Sequence, residues 1–258
     1  MISKKNDRLG EEATNNQGCL MKIIEYDNVC NIIVEFQDKY KAKVHSNYQC
    51  FRNGCIKNPY HPFVYNVGMI GNKYPSRINK VMTKEYRTWC RVLKRCFDDK
   101  YKNEHYTYED ATCNEWLLFE NFYEWLHNQE NFDKWNDNDR WDIDKDIIKK
   151  GNKIYSPDLC LLVPHNVNAL FVKKDINRGS LPIGVTKHKD KYRARCENQL
   201  TGKREHLGLF ATPTEAFNAY KNRKENLIKQ IAEIEFVAGN ITKECYNAML
   251  KYEIEITD

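Results

Sequence analysis

Residues 181–216, LPIGVTKHKDKYRARCENQLTGKREHLGLFATPTEA, decide the fold of the C-terminal part of this chain. The stretch contains three runs of strand-forming residues, and turn-forming pairs separate them, Lys189-Asp190 and Gly202-Lys203. Short runs joined by tight turns are typical of antiparallel strands that follow one another in a sheet. The stretch therefore predicts a three-stranded antiparallel sheet over about residues 183–210.

The end of the same stretch has the pattern of a helix start. Thr212 can cap the first turn, Pro213 suits the first helical position, and Glu215 completes a capping box. Apolar residues then recur at helical spacing as far as Gly239-Asn240. We therefore expect a long helix that begins within about two residues of Pro213. A short last helix is expected over about residues 243–252.

The second predicted strand has two different faces. Cations occupy every second position, Lys191, Arg193 and Arg195. The positions between them hold small or apolar residues, Tyr192, Ala194 and Cys196. Side chains alternate along a strand, so one face can pack on the helix while the other presents cations about 7 Å apart. Such cations can reach phosphates or the edges of guanine bases.

The distribution of charge supports a polyanionic partner. The whole chain has a net charge of only +5, but residues 177–224 contain eleven Lys/Arg against four Asp/Glu. This segment therefore has a net charge of +7 and the remainder sums to −2. A basic module on a mildly acidic protein is an electrostatic footprint for nucleic acid.

The C-terminal stretch resembles the Apetala/ethylene-response-factor type of DNA-binding domain. The residues that carry the resemblance are Gly184-Val185, Lys191-Tyr192-Arg193-Ala194, Gly202-Lys203, Leu207-Gly208-Leu209-Phe210, Thr212, Glu215-Ala216 and Ala219-Tyr220. The resemblance covers about 45 residues and implies a three-stranded sheet on one helix, with sheet residues that read the major groove of double-stranded DNA.

By matching position, the resemblance assigns base or phosphate contacts to Lys187, Arg193 and Arg195, and backbone contacts to Lys203 and Arg204. Lys191 joins this DNA-binding set from the cationic face of the second strand. One departure concerns Ile183, which stands where the family usually has an arginine before the glycine. The alternative interpretation of the cations is an ordinary solvated sheet edge.

The rest of the chain predicts two further regions, so that the whole is of the α+β class. Residues 1–82 form a small β-rich module, because β-branched runs alternate with glycine and proline breakers. Residues 83–176 combine helices with a strand–loop–strand–helix segment, and residues 177–258 form the DNA-binding module with C-terminal helices.

The first central helix is amphipathic. Its apolar residues share one face, and Arg87, Arg91, Lys94 and Arg95 lie mostly on the other. A charge stripe of this kind is typical of a solvated face, and contact with DNA backbone phosphates is the alternative. In the next helix, Trp116, Phe119, Phe122, Tyr123 and Leu126 are interpreted as core residues.

A segment between these helices and the C-terminal module resembles the ββα arrangement of HNH endonucleases, especially divergent forms from phages and mobile elements. The resemblance rests on three motifs: Trp141-Asp142-Ile143-Asp144-Lys145-Asp146, Tyr155-Ser156-Pro157-Asp158-Leu159-Cys160 and Pro164-His165-Asn166-Val167-Asn168. It implies a divalent cation, Mg²⁺ or Mn²⁺, held by Asp144 and Asn168, with Asp144 and His165 as catalytic residues.

One departure bears on catalysis. Lys145 stands where the family has its catalytic histidine, and a protonated lysine cannot accept a proton from water. If the site is active, the carboxylate of Asp144 should lie near the side chain of His165 or Asn168. The alternative is a degenerate segment that only supports DNA binding.

Two functions follow as hypotheses. The first is a sequence-specific double-stranded DNA-binding protein related to HNH homing endonucleases, and able to nick DNA with a divalent metal. The second is a catalytically inactive DNA-binding regulator or an antagonist of host defence. The HNH resemblance, with an Apetala-type domain following that segment, implies a phage or mobile-element protein in the cytoplasm of a bacterial host. No apolar run reaches the roughly 18 residues that would span a membrane. The oligomeric state stays open.

Overall fold

A computed structural model of the protein describes residues 8–171 and 181–256. The strands are β1 Glu12–Thr14, β2 Leu20–Asn28, β3 Asn31–Phe36, β4 Lys43–Ser46, β5 Arg77–Ile78, β6 Val81–Met82, β7 Trp141–Asp144, β8 Leu161–Pro164, β9 Val185–His188, β10 Lys191–Asn198 and β11 Lys203–Phe210. The α-helices are α1 Tyr48–Arg52, α2 Lys84–Phe97, α3 Asp99–Glu104, α4 Phe119–His127, α5 Phe132–Asp137, α6 His165–Asn168, α7 Pro213–Val237 and α8 Lys243–Leu250.

This architecture confirms the α+β class, the N-terminal sheet, and the C-terminal three-stranded sheet followed by a helix. The chain divides into two compact units, Met1–Trp125 and Leu126–Asp258. In the described part of the chain, no helix combines the length and the apolar character needed to cross a membrane.

The first unit contains a four-stranded meander with the order β1-β2-β3-β4. Alternate residues of β2 and β3 are buried because side chains point to opposite faces along a strand. Met21 pairs with Phe36 and Ile23 pairs with Val34, and all four are fully buried. Phe51 of α1 completes this small core. The meander is the β-rich module that the sequence predicts.

Helix α2 has the amphipathic face that its sequence predicts. Thr83 caps its start by accepting a hydrogen bond from the amide of Tyr86. The buried residues of the helix are Tyr86, Trp89, Val92, Leu93 and Cys96. The indole of Trp89 donates to the carbonyl of Trp116 over 2.6 Å. Trp116 lies before α4, in the short 3₁₀ helix Glu115–Leu117, and its backbone is not α-helical.

The second unit places the strand–loop–strand–helix segment and the C-terminal module around one hydrophobic core. Strands β7 and β8 pair antiparallel, and α6 follows β8 directly. The core takes Leu161, Val163 and Val167 from this segment. It also takes residues from β9, β10, α7 and α8. The predicted division after residue 176 lies outside the described residues, and the described residues on both sides share this core.

Candidate nucleic-acid interface

The C-terminal sheet has β10 at its centre, between β11 and β9. Ala194 and Cys196 of β10 are fully buried, and Val185, which pairs with Ala194, is buried beside them. These residues belong to the core that includes Ala216 and Phe217 of α7. One face of the sheet therefore packs on α7, as the alternation of residues along β10 predicts.

The opposite face of the sheet, which we call the outer face, is rich in cations. Residues that pair across antiparallel strands share a face, and so do every second residue along a strand. Strand pairing then assigns to the outer face Thr186, His188, Lys191, Arg193, Arg195, Glu197, Arg204, His206 and Leu209. Four of these nine residues are Lys or Arg, and Glu197 is the one carboxylate among them.

The outer-face cations have no anionic partner in the part of the chain that the structure describes. Arg193 and Arg195 are half-buried, and Lys191 and Arg204 are exposed. The Nε atom of Arg193 is shielded from solvent and has no hydrogen-bond partner among the described residues. A shielded N–H without an acceptor is unfavourable by about 1–3 kcal/mol. Because this Nε atom is shielded, an anionic ligand would have to bind the other N–H groups of these cations.

Two of the cations assigned to DNA by resemblance lie on the other side of the sheet. Lys187 pairs with Tyr192, and Lys203 pairs with Asn198. Tyr192 packs against the core, and Asn198 is buried, so both belong to the face that packs on α7. The side chains of Lys187 and Lys203 are exposed, but they start from that face. The register of the strands thus separates Lys187 and Lys203 from Lys191, Arg193, Arg195 and Arg204.

Two cations of α7 make contacts within the second unit. Arg223 donates to Glu205 of β11 through Nε over 2.5 Å and through Nη2 over 2.9 Å. The hydrogen bonds from Arg223 and Asn198 lower the pKa of Glu205 to about 2. Lys224 is buried, and burial lowers its pKa. The net charge of the segment thus overstates how many cations are available to a ligand.

Gly184, one of the residues that carry the family resemblance, allows β9 and α7 to approach each other closely. Its backbone has φ +77°, a conformation that favours glycine. A Cβ atom at this position would lie 2.1 Å from the ring of Tyr220 on α7. Ile183, in the place of the family's arginine, packs against the core. The sequence Ile183-Gly184 therefore brings the start of β9 close to α7.

In the ββα segment, the structure joins His165 to Asp142. Nδ1 of His165 lies 2.6 Å from Oδ2 of Asp142, and Nδ2 of Asn168 donates to the same oxygen over 3.0 Å. The side chain of His165 is 68% exposed and that of Asp142 is 25% exposed. Asp142 orients the imidazole, and Nε2 can accept a proton when Nδ1 carries one.

Asp144, which the resemblance assigns to metal binding and catalysis, has a different environment. It is buried, and its Oδ1 accepts hydrogen bonds from the amides of Asp146 and Ile147 over 2.8 and 2.7 Å. Burial raises the pKa of Asp144 to about 6, although these two hydrogen bonds oppose the rise. This carboxylate therefore organises the turn after β7, and Asp142 takes the contact with His165 and Asn168 that was expected of Asp144.

Lys145 is also structural. Its side chain is buried, and Nζ donates to the carbonyl of Asn152 over 2.6 Å and to Asp146 over 2.8 Å. The amide of Asn152 returns a hydrogen bond to the carbonyl of Lys145. Lys145 thus closes the loop that leads from β7 toward β8.

The residues near His165 could offer a divalent ion one carboxylate, one imidazole and one amide oxygen. Among the described residues there is no group of three His, Cys, Asp or Glu side chains that could hold a metal ion. Comparison of the chain with protein-family models, with curated proteins and with solved structures found no match. The interpretation of this unit therefore depends on its own geometry.

Proposed function

We propose that the protein binds double-stranded DNA through the outer face of its C-terminal sheet. The observation that carries the proposal is a set of four cations without an anionic partner among the described residues, on one face of a sheet whose other face is fixed to α7: Lys191, Arg193, Arg195 and Arg204. Phosphate oxygens provide the acceptors that this face lacks.

The arrangement suits a duplex better than a small anion. Lys191, Arg193 and Arg195 follow one another along β10 at every second position, so they match a series of phosphates. Arg193 and Arg195 stand near the middle of the sheet, and an arginine can donate two hydrogen bonds to the edge of one guanine. Lys191 and Arg204 lie toward the ends of their strands, where contacts with the DNA backbone fit.

The test uses the full-length chain and fluorescence anisotropy with duplex DNA, single-stranded DNA and duplex RNA over a series of salt concentrations. We expect tightest binding to duplex DNA, with an affinity that falls steeply with salt. The variant Arg193→Ala/Arg195→Ala should lose binding. The matched control Lys229→Ala/Lys251→Ala removes two exposed cations of α7 and of the end of α8, and should bind normally. Equal effects of the two double variants would overturn the proposal.

A second candidate function, metal-dependent nicking of DNA, is favoured by the contact between Asp142 and His165. A carboxylate that holds one imidazole nitrogen leaves the other available to activate water, which is the role of a general base in phosphodiester hydrolysis. Mg²⁺ or Mn²⁺ would supply the stabilisation of the leaving oxygen. If no nicking occurs, the function is that of a DNA-binding regulator or of an antagonist of host defence.

A further inference from the structure

The hairpin formed by β5 and β6 is a small, fully exposed element of the first unit. All six of its residues, Arg77–Met82, are exposed. Asn79 and Lys80 form its two-residue turn with φ values of +50° and +68°, as turns of type I′ require. Ile78 pairs with Val81 directly beside the turn. The two aliphatic side chains therefore share one face at the tip.

Two large aliphatic side chains are exposed at this tip. The side chain of Ile78 is 59% exposed and that of Val81 is 67% exposed. Two adjacent β-branched side chains left in water forgo about 1.5–3 kcal/mol each that full burial would provide. A hairpin of four strand residues also buries too little by itself to be stable.

The hairpin is held by its connection to α2. The amide of Thr83 donates to the carbonyl of Ser76, which closes the hairpin at its base. Thr83 is also the N-cap of α2. In addition, Nη1 of Arg77 donates to the carbonyl of Lys80 over 3.1 Å, across the turn. The exposed tip therefore projects from a fixed base at the start of a well-packed helix.

The segment that contains the hairpin is rich in cations. Residues 73–95 contain eight Lys/Arg against a single acid, Glu85. Arg87 and Arg91 are exposed and lie four residues apart, so they share one side of α2. Lys94 and Arg95 lie over the rings of Tyr101 and Tyr108 instead. In the described ranges, Arg87 and Arg91 have no anionic partner, and neither does Lys80.

We propose that this basic hairpin surface, Arg77–Met82 together with Arg87 and Arg91, is a second contact surface for duplex DNA. The inference rests on the proposed function for the kind of ligand, but it uses other residues in the other unit. Ile78 and Val81 enter a groove and contact bases, while the cations contact the flanking phosphates. A two-stranded β-ribbon fits the major groove, and aliphatic side chains also serve as wedges in the minor groove.

Charge decides between this partner and a second copy of the chain. A symmetric dimer through the tips would bring two sets of cations together, and their repulsion opposes the burial of two small apolar pairs. Phosphates on both sides of a groove instead complement the cations that flank the apolar tip.

The experiment compares three full-length variants with the wild type by fluorescence anisotropy on duplex DNA at several salt concentrations. Ile78→Ser/Val81→Ser should weaken binding about tenfold and leave the salt slope unchanged, because no cation is lost. Arg77→Ala/Arg87→Ala/Arg91→Ala should lower the salt slope by about two to three units. The matched control Val29→Ser alters an exposed valine at the β2–β3 turn, beside Asp27, and should bind normally.

The outcomes distinguish this inference from the proposed function. If Ile78→Ser/Val81→Ser binds DNA like the wild type while Arg193→Ala/Arg195→Ala does not, the hairpin inference is overturned and the outer face stands. The reverse result supports the hairpin and overturns the outer face. If the wild type does not bind DNA but self-associates or binds anionic lipid vesicles through the hairpin, both proposals are overturned. Since the substituted side chains are exposed, thermal unfolding should be unchanged and serves as the check on folding.

Discussion

Arg223 of α7 and Glu205 of β11 form a two-point contact, with hydrogen bonds of 2.5 and 2.9 Å, that ties the long helix to an edge strand of the C-terminal sheet. Asn198 of β10 donates to the same carboxylate over 2.7 Å. One acidic side chain thus joins two strands and the helix. The contact also neutralises Arg223, so this cation is not available to a ligand.

The first prediction concerns the stability contributed by Glu205. Its pKa is lowered to about 2 in the folded state, against about 4.3 in an unfolded chain. A lowered folded pKa means that the stabilisation is present above pH 4.3 and is lost as the pH falls toward 2. Glu205→Gln should therefore lower the thermal midpoint at pH 7 and flatten its decline in acid. Glu253→Gln, at an exposed position of the C-terminal tail, should leave the curve unchanged.

The second prediction separates the two faces of the sheet. Arg193→Ala and Arg195→Ala should each weaken specific binding by about 1–3 kcal/mol if the arginines contact base edges. Lys187→Ala should have little effect, because strand pairing puts Lys187 on the face that packs on α7. Binding titrations with a selected duplex and with random DNA measure both quantities. A loss for Lys187→Ala equal to that for Arg193→Ala would contradict the face assignment.

The sequence predicts elements better than it predicts their register. The capping box of α7 forms between Thr212 and Glu215 as expected, because the bonds that make it are local. The face of Lys187 depends on which residue of β10 pairs with it, and a shift of one residue reverses the face. Similarly, Asp142 and Asp144 both belong to β7, but Asp144 bonds to amides of the turn that follows it, whereas the partner of Asp142, His165, lies 23 residues further along the chain.

The net charge summed over a long part of the chain does not reveal the basic hairpin surface. The sum of −2 over the residues outside 177–224 combines the cations of residues 73–95 with acids elsewhere. Only the folded chain shows that the aliphatic residues between these cations are exposed.

The third prediction concerns the buried carboxylate of Asp144. Burial raises its pKa to about 6, so the folded protein binds a proton that the unfolded chain releases at about pH 3.9. The sign follows from linkage: the stability associated with this group is present below pH 3.9 and is lost as the pH rises through 6. Asp144→Asn keeps an oxygen for the amides of Asp146 and Ile147. It should remove the loss of folding stability between pH 4 and pH 7, which amounts to at most about 3 kcal/mol. Denaturant unfolding at pH 4 and pH 7 measures the difference, and a variant with the wild-type pH dependence would contradict it.

The last prediction tests the chemistry of the ββα segment. His165 is exposed and held by Asp142, and Asn168 donates to the same oxygen of that carboxylate. If His165 is the general base, plasmid nicking with Mg²⁺ or Mn²⁺ should be lost in His165→Ala. It should fall by up to about 10⁴-fold in Asp142→Asn, because the carboxylate that orients the imidazole is removed. Asp144→Asn should nick like the wild type, because Asp144 bonds to the turn after β7 and not to His165. DNA affinity should stay the same in all three variants, since none alters the outer face.

A wild type that binds DNA but does not nick it with either metal would exclude the endonuclease and leave the regulator. Loss of nicking in Asp144→Asn alone would instead return catalysis to the residue that the resemblance assigns.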